Sequence, residues 1–371
     1  MRAILTALAL AMAPVAASAQ QIHPHSLSSY LETIEPVAPH VWVIRQAEPF
    51  HLQPIGNVTL IEQADGLVLI DAGGSPGSGR RIVQLVKSVS AKSVKAVAIT
   101  HWHGDHALGL SAIRDAWPAA RIIATERTRA NLLGKPMDAY AKGAADAAKD
   151  LAFAKRIDGF LEYLRTESQD PKRAAGLKAG FARTVPAFRR YREDSVGLFV
   201  VAPTQFFAER LLLDDSEAPI ELFHPGRANT DGDSAAWLPR QKLLISGDIV
   251  VAPVPFGFGS YPAEWVRALE RLKALDFAIL IPGHGVPQRD RRYLGQLLAL
   301  IDAVRAQVAP LAASGLSLDD TRKQVDLAAH RQLFVGVDPW LLHWFDEFWT
   351  KPFVESAWKE AKGIPIQQGS G

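Results

Sequence analysis

Short apolar runs separated by glycine- and aspartate-bearing turns recur along this chain, and their periodicity marks out its elements. Val41-Trp42-Val43-Ile44, Asn57 to Ile61 and Leu67 to Ile70 have the length and β-branched content of strands. The last two flank Glu62-Gln63-Ala64-Asp65-Gly66, whose Asp-Gly step predicts a hairpin. Asp71-Ala72-Gly73-Gly74 then leads to a predicted helix over Ser78 to Ser90 and a strand from Val94 to Ile99. A helix over Leu108 to Ala116, a strand Arg121 to Ala124 and a helix from Glu126 follow.

Between Lys135 and Arg192 the pattern changes to Ala, Lys, Arg and Glu, with Leu151, Phe153, Ile157, Phe160, Leu161 and Leu164 at helical spacing. This predicts a helical insertion between two halves of a sheet structure, with a lid, a dimer surface and plain packing all open as its role. Strands resume at Gln205-Phe206-Phe207, Arg210 to Leu213, Ile220 to Phe223, Ser234 to Leu238 and Lys242 to Ile245. A helix Pro262 to Leu275 precedes the strand Phe277 to Ile281, and the remainder is mostly helical. Its tail carries Trp340, Trp344, Phe345, Phe348, Trp349, Phe353 and Trp358, which predicts a helix packed on the body or on a partner subunit. His330 and His343 carry no motif and read as structural.

Strands and helices in this order predict an α/β fold, a four-layer α/β/β/α sandwich with helices outside two packed sheets. The division is a leader 1–19, a polar segment 20–40 containing His23 and His25, a main domain 41–290 with its insertion at 135–192, and a helical extension 291–371.

Composition narrows the setting. Met1-Arg2, an apolar run Ala3 to Ala16 and Ala17-Ser18-Ala19 read as a signal peptide cleaved before Gln20, so the expected location is periplasmic or secreted. No later stretch reaches ~18 uninterrupted apolar residues, so no membrane span is expected. The chain has no cysteine, which excludes disulfides and thiolate ligands. Net charge is +2, and removing a leader charged only at Arg2 takes Lys+Arg from 41 to 40 against 39 Asp+Glu. That balance leaves no electrostatic footprint for nucleic acid.

Chemistry concentrates where strands end. The run Thr100-His101-Trp102-His103-Gly104-Asp105-His106 follows the strand at 94–99, and imidazole with carboxylate suits Zn, Fe or Mn. The bland alternative is a polar loop whose histidines face water. Three further polar ends follow apolar strands: Ser246-Gly247-Asp248, Pro282-Gly283-His284-Gly285, and the stretch from His224 through Asn229-Thr230-Asp231-Gly232-Asp233.

With Asp71, these motifs in this order resemble the metallo-β-lactamase superfamily over roughly residues 41 to 290. The resemblance implies a metal-dependent hydrolase in which a metal-activated water attacks a small ester, lactone, lactam or related substrate. His101 and His103 would hold a first metal, and Asp105, His106 and His284 a second. Asp248 would bridge the two, Asp105 and Asp248 being the catalytic candidates. Asp71 would support the histidine loop without binding metal. Zinc is the expected ion, two per chain, with Mn or Fe as alternatives.

One position departs from the family pattern. The family's third ligand to the first metal is a histidine in a His-Thr-x-Gly-Asp loop, and this chain has Asn229 there. The first site is therefore expected to be weakened, and three arrangements stay open: Asn229 binds weakly through its oxygen, His224 substitutes, or only the second site fills tightly. Asp248 stands where the family's β-lactamases carry cysteine or serine, which argues against a strict lactamase. Val254 to Tyr261, with Phe256, Phe258 and Tyr261, is a candidate pocket wall, Tyr261 being also a candidate oxyanion donor. Trp102 is expected to pack, and His51 is a minor candidate for the mouth. The alternatives to a hydrolase are a metal-binding or regulatory protein with weakened catalysis and a β-lactamase-like enzyme. The expected partner is a small molecule, with homo-oligomerisation open.

Overall fold

The computed structural model describes residues 31–46, 55–137 and 190–368, with a few isolated positions between 159 and 187. The leader, His23, His25, His51 and most of the insertion at 135–192 lie outside the described residues.

A seven-stranded sheet runs in chain order: β1 (Glu32–Ala38), β2 (Val41–Gln46), β3 (Val58–Gln63), β4 (Gly66–Ile70), β5 (Val94–Ala98), β6 (Arg121–Thr125) and β7 (Gln205–Phe207). Its first four strands are antiparallel neighbours, whereas β4, β5, β6 and β7 pair in parallel. The second sheet has the order β12 (Ile279–Ile281), β11 (Leu243–Ile245), β10 (Ala235–Leu238), β9 (Ile220–Phe223), β8 (Arg210–Leu213). Only β11 and β12 are parallel in it.

Three apolar clusters separate the layers. Val43, Ile61, Val68, Ile70, Ala98 and Ile123 of the first sheet meet Ile220, Leu222, Leu243, Ile245, Ile279 and Ile281 of the second. The outer face of the first sheet packs on α1 (Pro76–Val89) and α3 (Leu110–Ala116) through Ile82, Val86, Leu110 and Ile113. The outer face of the second packs on the helices Pro262–Lys273 and Arg292–Ala313. The result is the four-layer sandwich, and β4, buried at every position, is the two-sided central strand that its unbroken apolar run requires. The helix Arg292–Ala313 is, among the described residues, long and apolar enough to cross a membrane, but Leu297, Ile301, Val304 and Val308 bury its inner side.

Several elements differ from the sequence reading. The sheet starts before residue 41, because β1 pairs with β2 as an edge strand. Pro36 and two glutamates hide this strand from periodicity, and its register shifts beside Pro36. Glu32 is held from outside the strand by Arg81 Nε at 2.6 Å and by the Ser78 hydroxyl. The insertion falls inside the first sheet instead of between the two sheets, since β7 pairs with β6. Parallel neighbours need a long crossover, and the insertion lies on that connection.

The helix expected over 108–116 is present as α3 from Leu110, and a separate short helix α2 (Gly104–Ala107) precedes it across Gly109. Gly109 N–H donates to the Gly73 carbonyl at 2.9 Å, and a Cβ there would sit 2.0 Å from the Ala72 oxygen. The loop after β4 therefore grips the chain just beyond the histidines. This contact joins distant segments, so helical periodicity could not register it.

The aromatic tail closes the outer layer. Trp340, Trp344, Phe345, Trp349 and Phe353 are buried over the helix Pro339–Phe345, a π-turn Asp346–Thr350 and the helix Lys351–Ala361. Trp349 stacks on Phe353 at 4.0 Å and meets Trp265 of the helix Pro262–Lys273 edge-on at 5.8 Å. Gly180, an isolated described position of the insertion, lies against the Trp340 ring. Truncating Trp349 to alanine should cost about 3–5 kcal/mol of stability in urea unfolding. A loss below ~1 kcal/mol would mean that the extension is peripheral to the fold.

Candidate metal centre

Parallel pairs β4–β5 and β11–β12 bring four strand ends to one edge of the sandwich. Asp71 ends β4, the histidine loop ends β5, Asp248 follows β11 and His284 follows β12. Backbone bonds lock these ends together: Ser246 N–H to Ile281 O at 3.0 Å and Ser234 N–H to Thr100 O at 2.8 Å.

Two sets of side chains could hold a metal ion, each with its ligand atoms within 4.8 Å of one another: His101, His106 and Asp248, and Asp105, His106 and His284. His106 Nε2 lies 3.2 Å from His284 Nε2, 3.1 Å from Asp248 Oδ1 and 3.5 Å from Asp105 Oδ2. His284 Nε2 in turn lies 3.0 Å from Asp105 Oδ2 and 3.5 Å from Asp248 Oδ1. A tetrahedron with ~2.0–2.1 Å metal–ligand bonds has edges of ~3.3 Å, so this spacing suits one shared ion. His101 Nε2 is 3.6 Å from Asp248 Oδ2. Buried yet without hydrogen-bond partners are His101 Nε2, both Asp248 oxygens and Asn229 Oδ1. Buried polar atoms left unpaired at one place are what a cation site leaves when only the protein is considered.

The electrostatics agree with that reading. Burial works against charge on His284, but Asp248 and Asp105 override it and lift its pKa to about 9. Burial is likewise outweighed at His106, where Asp248, Asp105 and Asp71 raise the pKa well above the usual imidazole range. His101 goes the other way, held well below it by burial and by His106. Burial would raise the Asp248 and Asp105 pKa values, yet the facing imidazoles keep both carboxyls ionised and low.

Orientation comes from a surrounding layer of contacts. Asp71 accepts the Thr100 N–H at 2.8 Å and the Thr100 hydroxyl at 2.9 Å, and its Oδ2 lies 2.8 Å from His106 Nδ1. The His106 Nδ1–H must point at this carboxylate, which leaves Nε2 to face the cluster. Asp71 itself has φ of 66°, the left-handed conformation that Asp tolerates better than most residues. The Thr100 hydroxyl also lies 3.0 Å from His101 Nδ1.

Gly56 and Asn57 were not singled out from the sequence, and both hold the site. A Cβ at Gly56 would lie 2.5 Å from the His106 ring. Asn57 clamps the turn carrying His284, its N–H donating to Gly283 O at 2.7 Å and its Nδ2 to Pro282 O and Gly285 O at 2.9 and 2.8 Å. An Ile-Gly-Asn-Val stretch beginning a strand is the sole local signal, and it names no partner 225 residues away. Gly283 is required beside Asp248, since a Cβ there would meet Asp248 Oδ1 at 2.0 Å.

The remaining candidates divide. His103 packs edge-on against His101 at 4.6 Å between centroids but belongs to neither ligand set. His224 joins neither set, its Nδ1 lying 2.6 Å from the Asp233 carbonyl. Asn229 Nδ2 donates to Phe256 O at 2.8 Å; because that carbonyl can only accept, the amide orientation is fixed and Oδ1 is the free atom. Burial pushes the Asp233 carboxyl up to about 7, against hydrogen bonds from the Thr230 N–H and hydroxyl. Trp102 packs as expected, its Nε1 donating to Gln368 at 2.9 Å. The Tyr261 hydroxyl accepts from Gln368 Nε2 at 3.2 Å, and Arg227 lies 4.3 Å above its ring.

Replacing Asp71 with Asn should weaken affinity for a divalent metal about 10–100-fold, because the carboxylate orienting His106 is lost. Chelator competition measures it, and unchanged affinity would remove Asp71 from the orienting role. Asn57→Ala should cost about 1–3 kcal/mol through the buried carbonyls left unpaired. Chemical denaturation reads that loss.

Comparison with known proteins bears on this geometry. The profile of the metallo-beta-lactamase superfamily matches residues 53–284. A linear primary-alkylsulfatase of Pseudomonas sp. (strain ATCC 19151) is 23% identical over 307 residues, which cover 77% of this chain and 52% of that protein. A metallo-beta-lactamase type 2 of Bacillus sp. (strain 170) is 21% identical over 253 residues, covering 66% of this chain and 73% of that protein. Among solved structures, a stereoselective inverting sec-alkylsulfatase from Pseudomonas sp. superposes with a TM-score of 0.60 at 16% identity, over 89% of this chain and 50% of that one. The chain thus spans about half the length of the alkylsulfatases it matches. With the four-layer sandwich in place and the family profile covering most of its length, the chain belongs to the metallo-beta-lactamase superfamily.

Proposed function

We propose that this protein is an exported metal-dependent hydrolase acting on a small ester, lactone, lactam or related substrate, with zinc as its ion. One observation carries the reading: two ligand sets share His106 at the common edge of two sheets, and His101 Nε2 and both Asp248 oxygens within them are buried without hydrogen-bond partners. Sulfate esters join the candidate substrates because one relative is a linear primary-alkylsulfatase. Export rests on the Met1 to Ala19 leader pattern.

Asp105, His106, His284 and Asp248 would hold one ion, and His101, His103, Asp248 and the Asn229 carbonyl oxygen a more weakly bound one. Bound there, a divalent cation supplies Lewis acidity and brings a water's pKa toward ~7. The chain's own groups do the rest. Asp105, on the rim of the cluster, is placed to accept a proton from a nucleophilic water and to orient it. Asp71 keeps the His106 tautomer fixed. Phe256, with its ring 5.2 Å from His284, shields one side of the cluster from solvent. A metal-binding protein with weakened turnover is the second reading, favoured by Asn229 in a histidine's place.

Metal analysis of zinc-supplemented protein should find about two ions per chain, or one with a second lost on dialysis. Asn229→His should retain the weaker ion better, and Asp248→Ala should lower both metal content and hydrolysis of an ester, lactone, lactam and sulfate-ester panel. Absence of metal after supplementation with Zn or Mn would overturn the hydrolase reading. Metal content and hydrolysis unchanged in Asp248→Ala would remove the bridging role.

A further inference from the structure

An unbroken aromatic track leads from the candidate metal centre to solvent, and the chain assembles it from two separate regions. Phe256, in the loop after Asp248, lies beside His284 at 5.2 Å, and its carbonyl holds Asn229. Phe348, in the π-turn of the C-terminal extension, meets Phe256 edge-on at 5.3 Å and Phe258 at 5.5 Å. Exposure rises outward along the track: Phe256 is 8% exposed, Phe348 half-buried and Phe258 47% exposed.

The two regions are seated firmly. The Gly257 N–H donates to Phe348 O at 2.8 Å, and a Cβ at Gly257 would lie 2.7 Å from the Phe353 Cβ. The π-turn widens the helix at residues 346–350, a local irregularity that often accompanies a binding function. A half-exposed phenylalanine continuous with a buried polar cluster is the arrangement of a site that takes a polar group at one end and hydrocarbon at the other. Phe348 lies beyond residues 53–284, the region that defines the family.

We propose that Phe348 and Phe258 receive the hydrocarbon part of the substrate, so that the C-terminal extension sets chain-length specificity for the reaction at the cluster. This rests on the hydrolase reading. The polar end of an amphiphile meets Asp105, Asp248 and the imidazoles, while its unbranched tail lies along Phe256, Phe348 and Phe258. Phe348 is then a specificity-determining residue that the extension contributes from outside the sandwich.

Calorimetric titration of zinc-loaded protein with n-alkyl carboxylates from butanoate to dodecanoate tests this without requiring turnover. Wild type should tighten by roughly fourfold per methylene, the ~0.8 kcal/mol of a buried methylene converted at RT. Phe348→Ala should flatten that increment to below about twofold, and so should Phe258→Ala, whose exposed position does not threaten the fold. Leu333→Ala, which removes an exposed leucine elsewhere on the extension, should keep the wild-type slope. A flat wild-type series, failure to bind dodecanoate, or an unchanged slope in both phenylalanine variants overturns the inference. Metal counted on the same samples separates the causes. A missing chain-length effect in protein that holds metal overturns this inference alone, whereas protein that takes up neither Zn nor Mn overturns the hydrolase reading beneath it.

Discussion

Asp71 occupies a left-handed backbone position at the end of β4 and accepts three groups at once: the Thr100 N–H, the Thr100 hydroxyl and the His106 imidazole. A buried carboxylate is tolerated only where such donors surround it. These contacts tie one parallel strand end to the next and fix the direction of the histidine loop. Without them the Thr100–His106 segment would be a short turn carrying long side chains, with no reason for His106 Nε2 to face His284. Gly109 against the Ala72 oxygen and Gly56 beneath the His106 ring extend the same constraint, since both demand close approach of backbone.

The cluster that results concentrates two carboxylates and three imidazoles where little water reaches. In the protein alone the carboxylates favour a proton on His284 or His106, and the imidazoles in turn favour ionised carboxylates. A divalent cation would replace such a proton, which is why metal binding and proton release are linked in sites of this chemistry. The two ligand sets each offer one carboxylate and two imidazoles and share His106, while the Asn229 amide offers only a neutral oxygen, its nitrogen being tied to Phe256.

The C-terminal extension packs on the sandwich and reaches the loop beside the cluster. Its tryptophans fill the outer layer against Trp265, Phe348 reaches the loop that walls the cluster, and Gln368 bridges Trp102 and Tyr261. The helix that buries Phe353 follows directly on the turn that holds Phe348 and Trp349.

Read by itself, the sequence determined the strands that carry the candidate site and the histidines and aspartates at their ends, in order along the chain. Apolar period and the spacing of histidines within six positions are local properties, and local properties survive without a fold. It also identified Asn229 as the position departing from the family. Only the tertiary structure decided that Asn57 grips the His284 turn, that β1 completes the sheet and that β7 lies before the second sheet begins. Each of these depends on a backbone group or side chain meeting a partner remote in the chain. Hydrogen bonds between Asn57 and Pro282, or ring contacts between Phe256 and Phe348, leave no periodic trace that composition or spacing could reveal.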